Sequence, residues 1–292
     1  MSILQAIIMG IIQGLTEFLP VSSSGHLAIM KNILGVETDT GLLFDVLLHV
    51  ATLIAVCAVM FRDIIKLITD FFLIARDFFI NIGRAFKNMF SQEKTPYKVL
   101  ASTSYRKFVI MLLISTIPTG ILGYLMKDMI ESVSGALLVP GICLLATGAI
   151  LLISDFLEDG MKKPKDANYG DAFVIGTAQG VATLPGLSRS GTTITACLLC
   201  GFDRRFAVKY SFIMSIPAII GALILELKDI GEAQVETSEI AAYCVGMIVA
   251  AVVGYIAIRL MLTIVQNRYF KYFAFYCLGI GAVSVIAHLI LL

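Results

Sequence analysis

The chain has 292 residues, 58% of them hydrophobic and 15% charged, with a mean hydropathy of +0.91 and a net charge of +1. A water-soluble globule carries about a quarter charged residues, so a soluble enzyme and a disordered chain are excluded. The near-zero net charge leaves no basic field to recruit nucleic acid, and a polytopic membrane protein remains.

Residues 1–34 are apolar but interrupted by Gln13, Thr16 and Glu17 and broken by Pro20, Ser22, Ser23, Ser24 and Gly25. No basic region precedes Ile7, so this stretch does not read as a cleaved signal. A helix needs about 20 mainly apolar residues to cross the hydrocarbon core. Stretch 42–61 meets that length, as do 108–126, 136–155, 206–226, 240–260 and 272–291. Stretch 171–202 is broken like the first, by Pro185, Gly186 and the run Ser188 to Thr193. Unpaired backbone cannot face lipid, so each broken stretch must line a cavity inside the protein.

Between the first two spans, 62–107 carries nine basic residues against four acidic ones and is expected on the cytoplasmic side, its amphipathic parts lying on the membrane surface. Segments 156–170, 203–209 and 261–271 are also basic, whereas 127–135 and 227–239 are acidic and read as external. Stretch 171–202 then enters and leaves from the cytoplasmic side, 1–34 does so from outside, and both termini are external. Six cysteines all fall in apolar runs, and Cys197 with Cys200 lacks the further ligands of a zinc site.

An offset of 166 superimposes Ala6, Gly10, Gln13, Gly14, Ser22, Ser24 and Gly25 on Ala172, Gly176, Gln179, Gly180, Ser188, Ser190 and Gly191. The chain therefore reads as one integral membrane domain, 1–292, of two repeats, about 1–155 and about 171–292. Each holds a re-entrant hairpin and three spans, and three is odd, so the repeats are inverted. The expected fold is an all-α polytopic membrane protein: six transmembrane helices plus two re-entrant helical hairpins in an inverted-topology repeat. Such repeats place a polar site near the midplane where their breaks meet.

At the breaks, Gln13 and Glu17 share one helix face, and His26 follows the serine turn. Arg189 stands among Ser188, Ser190, Gly191, Thr192 and Thr193. Ionisable groups at membrane depth are usually functional or mutually paired, and a purely structural Glu17–Arg189 pair is the alternative. Glycine-rich turns at helix N-termini cradle anions, and arginine grips phosphate with two parallel donors. The ligand inferred is phosphate. Asp45 and His49, also four apart, either extend this site or pair with each other, while His288 is expected at the interface. No P-loop occurs, which argues against an ATP-dependent kinase or pump.

QGLTEFLPVSSSGH (13–26) and PGLSRSGTT (185–193) resemble the two signature motifs of the bacterial undecaprenyl-diphosphate phosphatase, or bacitracin-resistance, family. The resemblance covers essentially the whole chain. Position 13 is Gln where some members carry Glu, so Glu17 is the motif's sole carboxylate. The resemblance implies a hydrolase that removes the terminal phosphate of undecaprenyl diphosphate and recycles the carrier lipid for peptidoglycan, in the bacterial inner (cell) membrane with its site facing outward. Its catalytic residues would be Glu17, Ser23, His26 and Arg189. Gln13, Ser22, Ser24, Gly25, Gln179, Ser188, Ser190, Gly191 and Thr192 would bind phosphate.

Three attacking groups stay open: Ser23 with His26 or Glu17 as base, which is preferred; His26 itself; or an activated water. No protein-held metal, nucleotide or organic cofactor is expected, which leaves room for Mg2+ or Ca2+ acting through the substrate's phosphates. Expected partners are the polyprenyl diphosphate, membrane lipid and a second copy of the chain, packed through glycine-rich runs such as 141–148 to give a homodimer. The alternative class is a transporter or flippase of polyprenyl phosphate lipids, for which inverted repeats are typical.

Overall fold

The computed structural model describes residues 1–36, 38–134, 137–229, 237–266 and 269–291. These form helices α1 (Ile3–Phe18), α2 (Ser23–Leu34), α3 (Thr38–Val59), α4 (Phe61–Phe90), α5 (Ser104–Leu125) and α6 (Lys127–Ser134). The chain continues through α7 (Leu138–Phe156), α8 (Tyr169–Val181), α9 (Arg189–Leu199), α10 (Arg204–Asp229), α11 (Thr237–Gln266) and α12 (Phe270–Leu291). Among the described residues no strand forms, only an isolated bridge between Lys162 and Phe202.

The expected spans 108–126, 136–155, 206–226, 240–260 and 272–291 are α5, α7, α10, α11 and α12, each long and apolar enough to cross a membrane. The span expected over 42–61 ends at Val59, where the chain turns 88° into α4. Glu232 and Glu236 of segment 227–239 and Arg268 of segment 261–271, which contribute to the loop charges, lie outside the described residues.

Both broken stretches fold as helical hairpins whose ends meet. Ser2 and Asn168 start α1 and α8 with reciprocal capping boxes to Gln5 and Asp171. Gln5 Nε2 then donates to the carbonyl of Leu34 at the far end of α2 (3.0 Å), closing the first hairpin. Lys162 closes the second, bridging Asp171 at the start of α8 (2.6 Å) and the carbonyl of Cys200 just past α9 (3.2 Å).

Each hairpin packs on a span from the other half of the chain. In α1, Gly10 and Gly14 lie against Gly246 and Ala250 of α11. In α8, Gly176 lies against Ser115 of α5, so closely that an added Cβ would stand 2.2 Å from the Ser115 carbonyl oxygen. Only a missing side chain permits such backbone approach, the usual way helices associate in lipid. The third long pair is α7 with α12. Gly141 and Gly148 meet Ser284 and Leu278 there, so the run proposed above to join protomers is used within one chain.

Helix α4 is amphipathic. Phe61, Ile65, Ile68, Phe72, Phe79 and Phe86 are exposed at helical spacing. Its other side is zipped to the chain that follows: Asn81 holds the Lys98 backbone through both amide atoms (2.8 Å each), and Asn88 does the same for Thr95 (2.8 and 3.0 Å). Asp77, buried one turn before Asn81, accepts from Lys98 (3.0 Å), Arg106 (2.9 Å) and Arg76 (3.0 Å).

Candidate active site

The tips of the two hairpins meet, and their local geometry repeats. Ser22 caps α2 by accepting from Gly25 N–H (3.3 Å), and Ser188 caps α9 by accepting from Gly191 N–H (3.1 Å). In each turn the capping hydroxyl lies 3.3 Å from the serine two residues on, Ser24 or Ser190. The turns also bond to each other: Gly186 N–H donates to Ser24 Oγ and Ser190 Oγ to the Leu19 carbonyl, both at 3.3 Å. A Cβ on Gly25 would stand 3.0 Å from Gly186 Cα. The two turns are therefore packed backbone to backbone.

This docking brings Glu17, 5% exposed, to the centre of the polar cluster. Arg189 donates to Glu17 Oε1 from the opposite hairpin. Oε2 accepts from Ser23 Oγ (2.5 Å) and from Gln13 Nε2 (3.1 Å), and His49 Nε2 of α3 lies 3.8 Å away. Ser23 follows Ser22, whose φ of 69° is the sole positive value among the described non-glycine residues. Strained backbone of this kind concentrates at functional sites.

A cavity of about 440 Å³ opens from this cluster. Of the residues picked from sequence, Glu17, Ser22, Ser23, Ser24, Gln179, Ser188, Arg189 and Ser190 line it. Gln13 stands behind Glu17 and orients it. The cavity does not include His26, Gly25, Gly191 or Thr192. His26 Nδ1 donates to the Ser22 carbonyl (2.7 Å), its Nε2 accepts from the Tyr276 hydroxyl (2.8 Å), and the two rings stack. With both nitrogens engaged, His26 clasps the strained turn. Gly25 and Gly191 spend their N–H groups on the capping serines, and Thr192 Oγ1 is buried without a bonding partner.

The imidazole that does face Glu17 belongs to His49. Of the two readings open for Asp45 and His49, the first holds for the histidine: it lines the cavity, while Asp45 pairs with Lys31 of α2. Thr16, Thr116, Thr119, Thr183, Tyr124 and Lys127 also line the cavity, though none was among the site residues expected from the sequence. The 166-residue offset sets Thr183 opposite Glu17, which was the available signal. Beyond the polar end the wall is apolar, formed by Val46, Ile130, Leu187, Ile219 and Leu223.

Among the described residues no three His, Cys, Asp or Glu side chains approach closely enough to hold a metal ion. Glu17, the cluster's carboxylate, already has both oxygens engaged. The arrangement supplies a hydroxyl bonded to a carboxylate base, a guanidinium beside it, and an apolar wall leading away. These are the parts needed to bind and attack the phosphate of an anionic lipid.

Comparison with known proteins agrees. Residues 6–283 match the family described as bacitracin resistance protein BacA. A protein named undecaprenyl-diphosphatase from Methanobrevibacter smithii is 43% identical over 284 residues, covering 97% of this chain and 96% of its own. Proteins of the same name from Methanosphaera stadtmanae and Alkaliphilus metalliredigens are 39% and 37% identical, with coverage of 99% or more of each chain.

Proposed function

The chain belongs to the bacitracin resistance protein BacA family, and from that premise we propose how it acts as a membrane hydrolase. It removes the terminal phosphate of undecaprenyl diphosphate, giving undecaprenyl phosphate and phosphate. One observation carries the mechanism: Glu17 holds the Ser23 hydroxyl on one oxygen and the Arg189 guanidinium on the other.

Ser23 Oγ attacks the terminal phosphorus, and its proton passes to Glu17 Oε2. The anhydride P–O bond breaks, and its electron pair leaves with the lipid monophosphate. Arg189 turns its donors to the phosphate oxygens and stabilises the charge that builds there. Ser22, Ser24, Gln179, Ser188 and Ser190 complete the polar wall, and Gln13 keeps Glu17 aimed. His26, Gly25, Gly191 and Thr192 shape the turns. Water then hydrolyses the phosphoseryl group. No protein-held metal site fits this donor set, so Mg2+ or Ca2+ would bind through the substrate's own phosphates.

The exchange of partners between halves (α1 on α11, α8 on α5) supports an inverted repeat over about 1–155 and 171–292 in one membrane domain. The cavity runs past Tyr124, Lys127 and Ile130, toward the acidic 127–135 end, which reads from its charge as external. This supports access to the headgroup from the external face. The 88° bend before α4 supports a helix lying in the cytoplasmic interface, its phenylalanines in lipid.

The deciding measurement is phosphate release from undecaprenyl diphosphate by the purified protein in detergent, beside Ser23→Ala and Arg189→Ala. Release by the wild type that is lost in both variants is the expected outcome. Equal release by all three would refute the assignment.

A further inference from the structure

We propose that His49 is the proton outlet of the site, taking from Glu17 the proton that Glu17 takes from Ser23; this rests on the hydrolase reading above. His49 Nδ1 lies 2.8 Å from the backbone carbonyl of Asp45. A carbonyl can only accept, so Nδ1 carries the hydrogen and Nε2 keeps its lone pair. Nε2 faces Glu17 Oε2 at 3.8 Å, and the ring is one-third exposed to the cavity. Nδ1 is tied to the helix, so the ring presents the nitrogen able to accept a proton to the oxygen that receives one.

The chemistry requires such an outlet. When Ser23 attacks, Glu17 becomes neutral; the departing lipid monophosphate, already an anion, needs no proton. Glu17 cannot act as base for the hydrolytic water until it loses that proton. Transfer to His49 Nε2 restores the carboxylate. Glu17 then takes a proton from water as its oxygen bonds to phosphorus, and returns it to Ser23 Oγ as the Ser–phosphate bond breaks. His49 releases its proton to the cavity, balancing the acid that hydrolysis produces. His26 cannot serve, because both its nitrogens are bonded away from Glu17. The charged groups around His49 are Glu17 on α1, itself paired with Arg189 of α9, and on its own helix Asp45, which pairs with Lys31 of α2; Lys127 of α6 lines the same cavity.

The relay separates the two half-reactions, which a packing role would not. In His49→Gln the first half is intact, so undecaprenyl phosphate appears in a burst equal to the enzyme concentration. Turnover then falls about 10²-fold, the lower range for a lost proton-transfer group, and phosphate accumulates on Ser23. Steady-state turnover within twofold of wild type, or burst and turnover slowed together, would overturn the relay. His49→Asn is the second variant. Should neither fold, His49→Ala with free imidazole in the medium decides: recovered steady-state turnover supports the outlet, and none removes it. No phosphate release by the wild type at any pH would overturn the hydrolase reading instead.

Discussion

Glu17 and Arg189 lie 172 positions apart and form one ion pair where two helical hairpins touch tip to tip. Neither hairpin alone could hold its charge so well buried, because a bare ion in a low-dielectric setting is strongly unfavourable. The pair therefore ties the docking of the hairpins to the assembly of the site. Arg189→Ala and Glu17→Gln are each expected to lower phosphate release by at least about 10²-fold, the scale of a lost positioned group. Arg189→Lys should recover little, since an ammonium cannot reproduce the planar fork. Near-normal turnover by folded Arg189→Lys would show that charge alone suffices.

Ser23 differs from its neighbours in its bonding. Ser22 is spent on capping α2 and Ser24 on the Gly186 amide, whereas Ser23 donates to Glu17. Ser23→Ala is expected to lose at least about 10²-fold in turnover, and Ser24→Ala less than about tenfold. A phosphorylated Ser23 peptide should be recoverable by acid quenching during turnover. Phosphate found on His26 instead would reassign the nucleophile.

His26 is bonded to the turn. It holds the Ser22 carbonyl while Ser22 sits at positive φ, and Tyr276 braces the ring from α12. Tyr276→Phe removes one hydrogen bond and is expected to lower stability by about 0.5–1.5 kcal/mol with a modest loss of turnover. His26→Ala removes the clasp and should lower both thermal stability and activity. An inactive His26→Ala protein as stable as wild type would point back to direct participation.

Five of the spans and the two breaks were legible because each leaves a mark in composition: apolar length, and Pro and Gly interruptions. Glu17 and Arg189 stood out because ionisable side chains are rare in apolar helices, and Ser23 because it falls in the serine turn between Glu17 and His26. The surroundings of the His26 and His49 rings were not legible. Both follow a helix start or sit within a span, and only the packing of α3 and α12 decides which ring faces the cavity. Thr116, Thr119 and Thr183 escaped notice because threonine in a membrane helix most often bonds its own backbone, as these three also do.

Backbone approach at Gly176 gives a test of the hairpin's docking. A Cβ there would meet the Ser115 carbonyl at 2.2 Å, whereas Gly83 of α4 has nothing within 4 Å. Gly176→Val should cost at least about 1–3 kcal/mol through overpacking and displace Arg189 from Glu17. Gly83→Ala should leave activity unchanged. Wild-type stability in Gly176→Val would mean that α8 and α5 stand further apart than described.

Outside the spans, Asp77 predicts a pH dependence. Hydrogen bonds from Lys98, then Arg106 and Arg76, hold its carboxyl well below the ordinary range, outweighing its burial. A depressed value means that the folded state favours the ionised form, so the stabilisation is complete above the unfolded carboxyl's pKa of about 3.9. It is lost as pH falls from there through the folded value. The difference in melting temperature between wild type and Asp77→Asn should therefore hold constant from pH 7 to about pH 5 and shrink below about pH 4. A gap that closed already between pH 7 and pH 5 would require a histidine as its source. No histidine stands among the groups bonded to Asp77, so that outcome would place the coupling of α4 to residues 95–106 elsewhere.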